Sequence, residues 1–172
     1  MELGSLFTDQ SKKSKEKTGI ISQWLSDGTL TIADWIAYAE KAKPPAKATC
    51  IEAMESATKL DPSIANEAVL TFVTAMLADH APRVKWESAK VIGNIARRFP
   101  TKLSQAIVQL LNNTEHPGTV VRWATAYALS EIAVIKTTHQ QELLETLETL
   151  SKGEENNGVR KKYLEALKKA KK

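Results

Sequence analysis

Apolar residues recur every three or four positions through almost the whole chain, the spacing of helix faces that are buried against neighbours. Ile20, Ile21, Trp24 and Leu25 trace the first such face, which stops at Asp27-Gly28, where glycine can take the left-handed conformation that closes helices. Thr31 with Asp34 resembles a capping box. Ile32, Trp35, Ile36 and Ala39 then follow on one face to about Lys43, where Pro44-Pro45 ends the run. A helix over Ala46–Leu60 comes next, and Asp61 with Pro62 opens another that reaches Asp79. Further helices are predicted over Arg83–Arg98, Thr101–Asn113, Val120–Lys136, Thr138–Lys152 and Val159–Lys169, with Thr138 and Gln141 as a second capping box. Nine helices result, and the fold class is all-α. Residues 1–18 are polar and lysine-rich, so they are expected to form a flexible N-terminus. Residues 19–172 form a single helical domain whose first helix caps one end.

The same stretch appears more than once. Val84 to Ala96 recurs 37 residues later as Val121 to Ala133, with Val, Trp, Ala, Ile and Ala identical and Lys85 matched by Arg122. Weaker copies begin at Ala46 and Val159, so four units share a period of 37 to 38 residues. A period of that length means stacked helical hairpins, each burying its apolar face against the next, rather than one closed core.

The residues that recur also resemble those of a known family. An acidic or amide turn, then Val-Lys or Val-Arg, then Ala and an aliphatic pair, is similar to the HEAT repeat. Here the pattern reads Asp79, Val84, Lys85, Ala89, Ile92 and again Asn113, Val121, Arg122, Ala126, Leu129. The resemblance covers residues 31–172. It implies a right-handed α-solenoid of about four hairpins whose second helices line a concave face, and it implies that Lys47, Lys85, Arg122 and Arg160 each bond the acid of the preceding turn.

Composition narrows the setting. Neither a leader-like apolar stretch near Met1 nor a run long enough to span a membrane is present, and the lone Cys50 falls on an apolar helix face, as expected in the reducing cytoplasm. The net charge of +4 is concentrated in residues 152–172, while residues 31–151 carry 12 basic and 13 acidic groups. The central repeats are therefore a poor track for phosphates, and only weak binding of nucleic acid is expected.

Candidate chemistry is sparse. His80 and His116 lie in successive turns, and no clustered carboxylates or cysteines accompany them or His139, so no metal and no cofactor are expected. No phosphate loop or nucleophile motif occurs, and no catalytic residue is assigned. Winding the repeated segments at about 100° per residue is more informative. Ser88, Val91, Ile92, Ile95 and Phe99 share one buried stripe; Trp86, Lys90, Gly93 and Arg97 fall opposite it. The next repeat sets Trp123, Tyr127, Ser130 and Val134 at those four angles, which puts Trp86 and Trp123 about 10 Å apart in a stack. Trp86, Lys90, Arg97, Trp123 and Tyr127 are thus expected to grip a protein or peptide segment on the concave face, with Lys90 and Arg97 favouring an acidic one. The expected function is a non-catalytic binding scaffold. The alternative is a nucleic-acid binder related to the alkylpurine DNA glycosylases, although neither tryptophan is followed by Asp or Glu one turn on.

Overall fold

The computed structural model describes residues 2–172. Among them are ten α-helices and no strand: α1 (Leu3–Thr8), α2 (Ser14–Asp27), α3 (Ile32–Lys41), α4 (Pro44–Leu60), α5 (Glu67–Met76), α6 (Pro82–Ile95), α7 (Ser104–Leu111), α8 (Thr119–Ala133), α9 (Gln140–Gly153) and α10 (Asn157–Ala170). Several ends follow the chemistry expected of them. Gly28 closes α2 at φ 80°, and Thr31 Oγ1 accepts the Asp34 amide at 3.1 Å.

Other ends differ. Pro44 and Pro45 open α4 instead of only closing α3, because the first turn of a helix has no use for their missing N–H groups. Asp61 caps only a 3-10 turn over Pro62–Ile64, and α5 starts later behind Asn66, whose Oδ1 accepts the Val69 amide at 3.2 Å. Neither Thr101 nor Thr138 is a cap: α7 begins at Ser104 and α9 at Gln140. The polar N-terminal segment carries α1 and the start of α2. Leu3 and Leu6 are buried, Phe7 stacks on Tyr38 at 5.4 Å, and Lys17 Nζ donates to the Phe7 carbonyl at 3.0 Å. Leu6 and Phe7, each one helical turn from Leu3, give so short a helix an apolar face, and packing of that face rather than helix propensity holds it.

The helices form two layers. α2, α4, α6, α8 and α10 lie side by side in one, and α3, α5, α7 and α9 cover a single side of it, giving the hairpins α3/α4, α5/α6, α7/α8 and α9/α10. Between the layers Ile51, Met54, Leu77, Ile92, Ile95, Leu110, Leu129 and Ile132 are inaccessible to solvent, each contributing roughly 1.5–3 kcal/mol through burial. Trp35 packs edge-on to Phe72 at 5.3 Å and donates its indole N–H to the Cys50 carbonyl at 2.9 Å. Burial pushes the Cys50 thiol up to about 12, so it holds no thiolate at neutral pH. No helix among the described residues is long and apolar enough to cross a membrane.

The repeated cations have structural partners, but not all those expected. Lys47 reaches Asp79 at 3.8 Å and Arg122 reaches Glu154 at 3.1 Å, each acid belonging to the turn of the following hairpin. Lys85 donates to the Leu77 carbonyl at 2.9 Å and to Asn113 Oδ1 at 3.2 Å, while Asn113 Nδ2 donates to that same carbonyl at 3.0 Å. The bonds to Asp79, Asn113 and Glu154 therefore tie one repeat to the next, while the Lys85–Leu77 bond closes the α5/α6 hairpin on itself. Arg160 departs from the set and bonds Asn157 within its own helix.

Candidate functional site

Among the described residues, no second layer of helices packs on the other side of the long helices. On α6 that side carries Arg83, Trp86, Lys90 and Asn94, at spacings of three and four residues; on α8 the same register carries Val120, Trp123, Tyr127 and Glu131. All eight are at least partly exposed. On α4 the row is Pro45, Ala48, Glu52 and Ser56, which lacks aromatic groups, so the aromatic surface is confined to the two middle repeats.

This row differs from the expected one at its far end. Gly93 is buried beneath the Tyr127 ring, where a Cβ would lie 2.3 Å from Tyr127 Cε2, and Ser130 is turned sideways to donate to the Lys162 carbonyl on α10 at 2.9 Å. Both small residues mark where neighbouring helices approach. The outer positions are instead the next in sequence, Asn94 and Glu131. Arg97 lies beyond α6 in a 3-10 turn over Ala96–Arg98, so a narrower helix carries it out of the α-helical register.

The amide of Asn94 holds three helices together. Tyr127 Oη donates to Asn94 Oδ1 at 2.6 Å, and Asn94 Nδ2 donates to the Glu55 carbonyl at 3.0 Å and to Thr58 Oγ1 at 3.2 Å. Burial pushes the Tyr127 phenol up to about 12, with the charges of Glu131 and Glu55 adding to it. The phenol is therefore a neutral donor at any physiological pH. Trp123 stacks on Tyr127, with centroids 5.9 Å apart and planes 8° from parallel, and Lys162 Nζ sits 5.2 Å from the Trp123 centroid. Trp86 and Trp123 are both half-buried, and the described aromatic pairs do not include the two of them together.

Charge on this side is largely neutralised. Lys90 Nζ bonds Glu87 Oε1 at 3.0 Å, Arg83 pairs with Glu52, and Lys161 and Lys162 lie 3.9 and 3.7 Å from Glu165. Glu87 is only 3% exposed, and burial raises its pKa, with Lys90 opposing and Glu52 and Glu55 adding to the rise. Glu55 and Glu131 have no ion-pair partner among the described residues. Asn94, Glu87, Glu131 and Lys162 were not among the residues expected from the sequence. The register holds the signal for them: Asn94 and Glu131 occupy one repeat position, and Glu87 and Lys162 another.

Two of the three histidines are held by hydrogen bonds. His116 Nδ1 accepts the Gly118 amide at 2.9 Å, and His139 Nε2 lies 3.0 Å from Ser104 Oγ. Among the described residues no group of three or more His, Cys, Asp or Glu side chains is placed to hold a metal.

Two stacked layers of short hairpins joined repeat to repeat define a helical-repeat solenoid. Solved structures share it: a designed armadillo repeat protein superposes at TM-score 0.73 with 17% identity, covering 96% of this chain and 79% of that one. Another designed armadillo repeat protein, solved in complex with the peptide (KR)4, gives 0.73 at 18% identity over 98% of this chain and 85% of its own. A third, computationally designed for modular peptide recognition, gives 0.73 at 18% identity, with 95% and 78% covered. At these identities the likeness establishes the fold alone. No protein-family profile matches the sequence, and no curated protein does.

Proposed function

We propose that the chain is a non-catalytic recognition module that takes an extended peptide segment along the outer side of α4, α6 and α8. The observation that carries this reading is the fixed Tyr127–Asn94–Glu55/Thr58 network beside half-exposed Trp86 and Trp123, on the side of the stack where, among the described residues, no second helix layer packs. Aromatic anchors with polar groups held in place are what a low-entropy binding surface requires. Lys90 is neutralised by Glu87, whereas Glu55 and Glu131 are unpaired, so the surface favours a basic segment in place of the acidic one that Lys90 and Arg97 suggest. The (KR)4 complex of a structural neighbour supports the same polarity.

Two-helix repeats support the HEAT-like assignment over the three-helix armadillo unit. The buried free Cys50 suits the cytoplasm. Base-excision chemistry gains no support, since the carboxylate next to Trp86 is buried and bonded to Lys90.

Tryptophan fluorescence tests the reading directly. Titration with (KR)4 is expected to quench or shift the emission, with an affinity that falls as salt rises and is lost in Glu55→Gln with Glu131→Gln. A (DE)4 peptide that binds more tightly, or a double variant that binds (KR)4 as wild type does, would sink the assignment.

A further inference from the structure

An open cleft lies away from the aromatic surface, between the α6–α7 and α8–α9 connections. Pro100, Thr101, Ser104, Lys136, Thr137, Thr138 and His139 line a volume of about 760 Å³. Four of the seven carry hydroxyls, two carry basic nitrogen, and none is a carboxylate. Ser104 is the first residue of α7, a helix whose first turn has no side-chain cap, and the earliest backbone bond there is from Ile107 to Leu103 at 2.9 Å. The cleft thus offers hydrogen-bond donors and positive charge, the complement of an oxyanion.

The preceding junction shows why the space is open. There Arg98 reaches back to the carbonyls of Pro62 and Ala65, joining one connection to the one before it. One period on, the position of Arg98 is taken by Ile135, which has no donor to extend, and the Ser104–His139 bond at 3.0 Å is what links the two connections.

We infer that this cleft is a binding site for a small hydrophilic phosphate ester. Lys136 supplies charge to the phosphoryl oxygens, and Thr101 and Ser104, the latter positioned by His139, donate hydrogen bonds to them. A bare phosphate is far smaller than the cleft, which is of the size that holds small organic ligands. Pro100 is the only apolar residue of the lining, so the body that fills the remainder is itself hydroxyl-rich, and a lipid tail has nothing to rest on.

Backbone amide shifts followed during titration with inorganic phosphate, glucose 6-phosphate and glucose test this on the full chain. Glucose 6-phosphate is expected to move the Ser104, Gln105 and His139 signals at lower concentration than phosphate does, with glucose silent and no co-sedimentation with phosphatidic acid vesicles. Lys136→Ala and Ser104→Ala change exposed side chains and are each expected to weaken binding by about tenfold, the loss of one charge-assisted hydrogen bond. Shifts that spread over the lysine-rich C-terminus and persist in the Lys136→Ala/Ser104→Ala protein would overturn the site, as would vesicle binding that depends on Lys136.

Discussion

At the scale of single residues, Glu87 is the group whose environment conflicts most with its chemistry. It is almost wholly buried with one cation, Lys90, and with Glu52 and Glu55 near enough to repel it. Burial is the largest influence, and it raises the folded-state pKa above the ordinary 4.5. The folded protein therefore takes up this proton at higher pH than the unfolded chain. Stability from this group grows as pH falls from neutral and is fully present below 4.5, while at pH 7 ionised Glu87 lowers stability. Glu87→Gln copies the protonated form. It is expected to melt at or above the wild-type temperature at pH 7, the gap closing as the pH approaches 4.5. If calorimetry shows the variant melting well below wild type at pH 7, the bond to Lys90 outweighs burial and the sign is reversed.

At the scale of elements, the approach of α6 to α8 depends on a missing side chain. Alanine in place of Gly93 would favour the helix by about 1 kcal/mol, but its Cβ would meet the Tyr127 ring at 2.3 Å. Tyr127 has little freedom to move, being bonded to Asn94 and stacked on Trp123. Overpacking of this kind costs roughly 1–3 kcal/mol, so Gly93→Ala is expected to be destabilising by urea denaturation. In a Tyr127→Ala background the clash is gone and the same change should stabilise, leaving only the helix preference. A Gly93→Ala effect of equal size and sign in both backgrounds would mean that the ring does not set the helix spacing. This pair also shows what could be read from the sequence. The period, the hairpins and the buried faces followed from apolar spacing, because burial acts on every turn of every helix. The outer row was displaced by one residue at its far end, since angular position alone cannot distinguish a side facing solvent from one facing a neighbouring helix. Gly93 and Ser130 looked like part of the surface, yet their small size was the mark of close approach. The short α1 escaped notice for a related reason. Its helix is supported by Tyr38 and by Lys17, and Tyr38 is far from it in sequence.

At the scale of the whole molecule, the repeat-to-repeat bonds make stability a property of neighbours. Lys47–Asp79, Lys85–Asn113 and Arg122–Glu154 each cross one junction, and the buried residues continue from α2 to α10 without a single centre. Such a stack unfolds from its ends, with damage in one hairpin felt mainly next door. Leu147 on α9 is inaccessible to solvent in the last hairpin, so Leu147→Asp buries a charge without a partner and should open α9 and α10. Hydrogen exchange is then expected to show those two helices losing protection while α4, α5 and α6 keep theirs. Trp123 reports the same event independently. It would lose the Lys162 ammonium held 5.2 Å from its ring, and its emission should change while the far-UV signal of the first hairpins remains. Ile132→Asp, placed in α8 at the middle of the stack, should instead remove protection on both sides, because the hairpins flanking it each lose a packed neighbour. Equal loss of protection everywhere in the Leu147→Asp protein would show one cooperative core, and the nearest-neighbour account of this solenoid would fail.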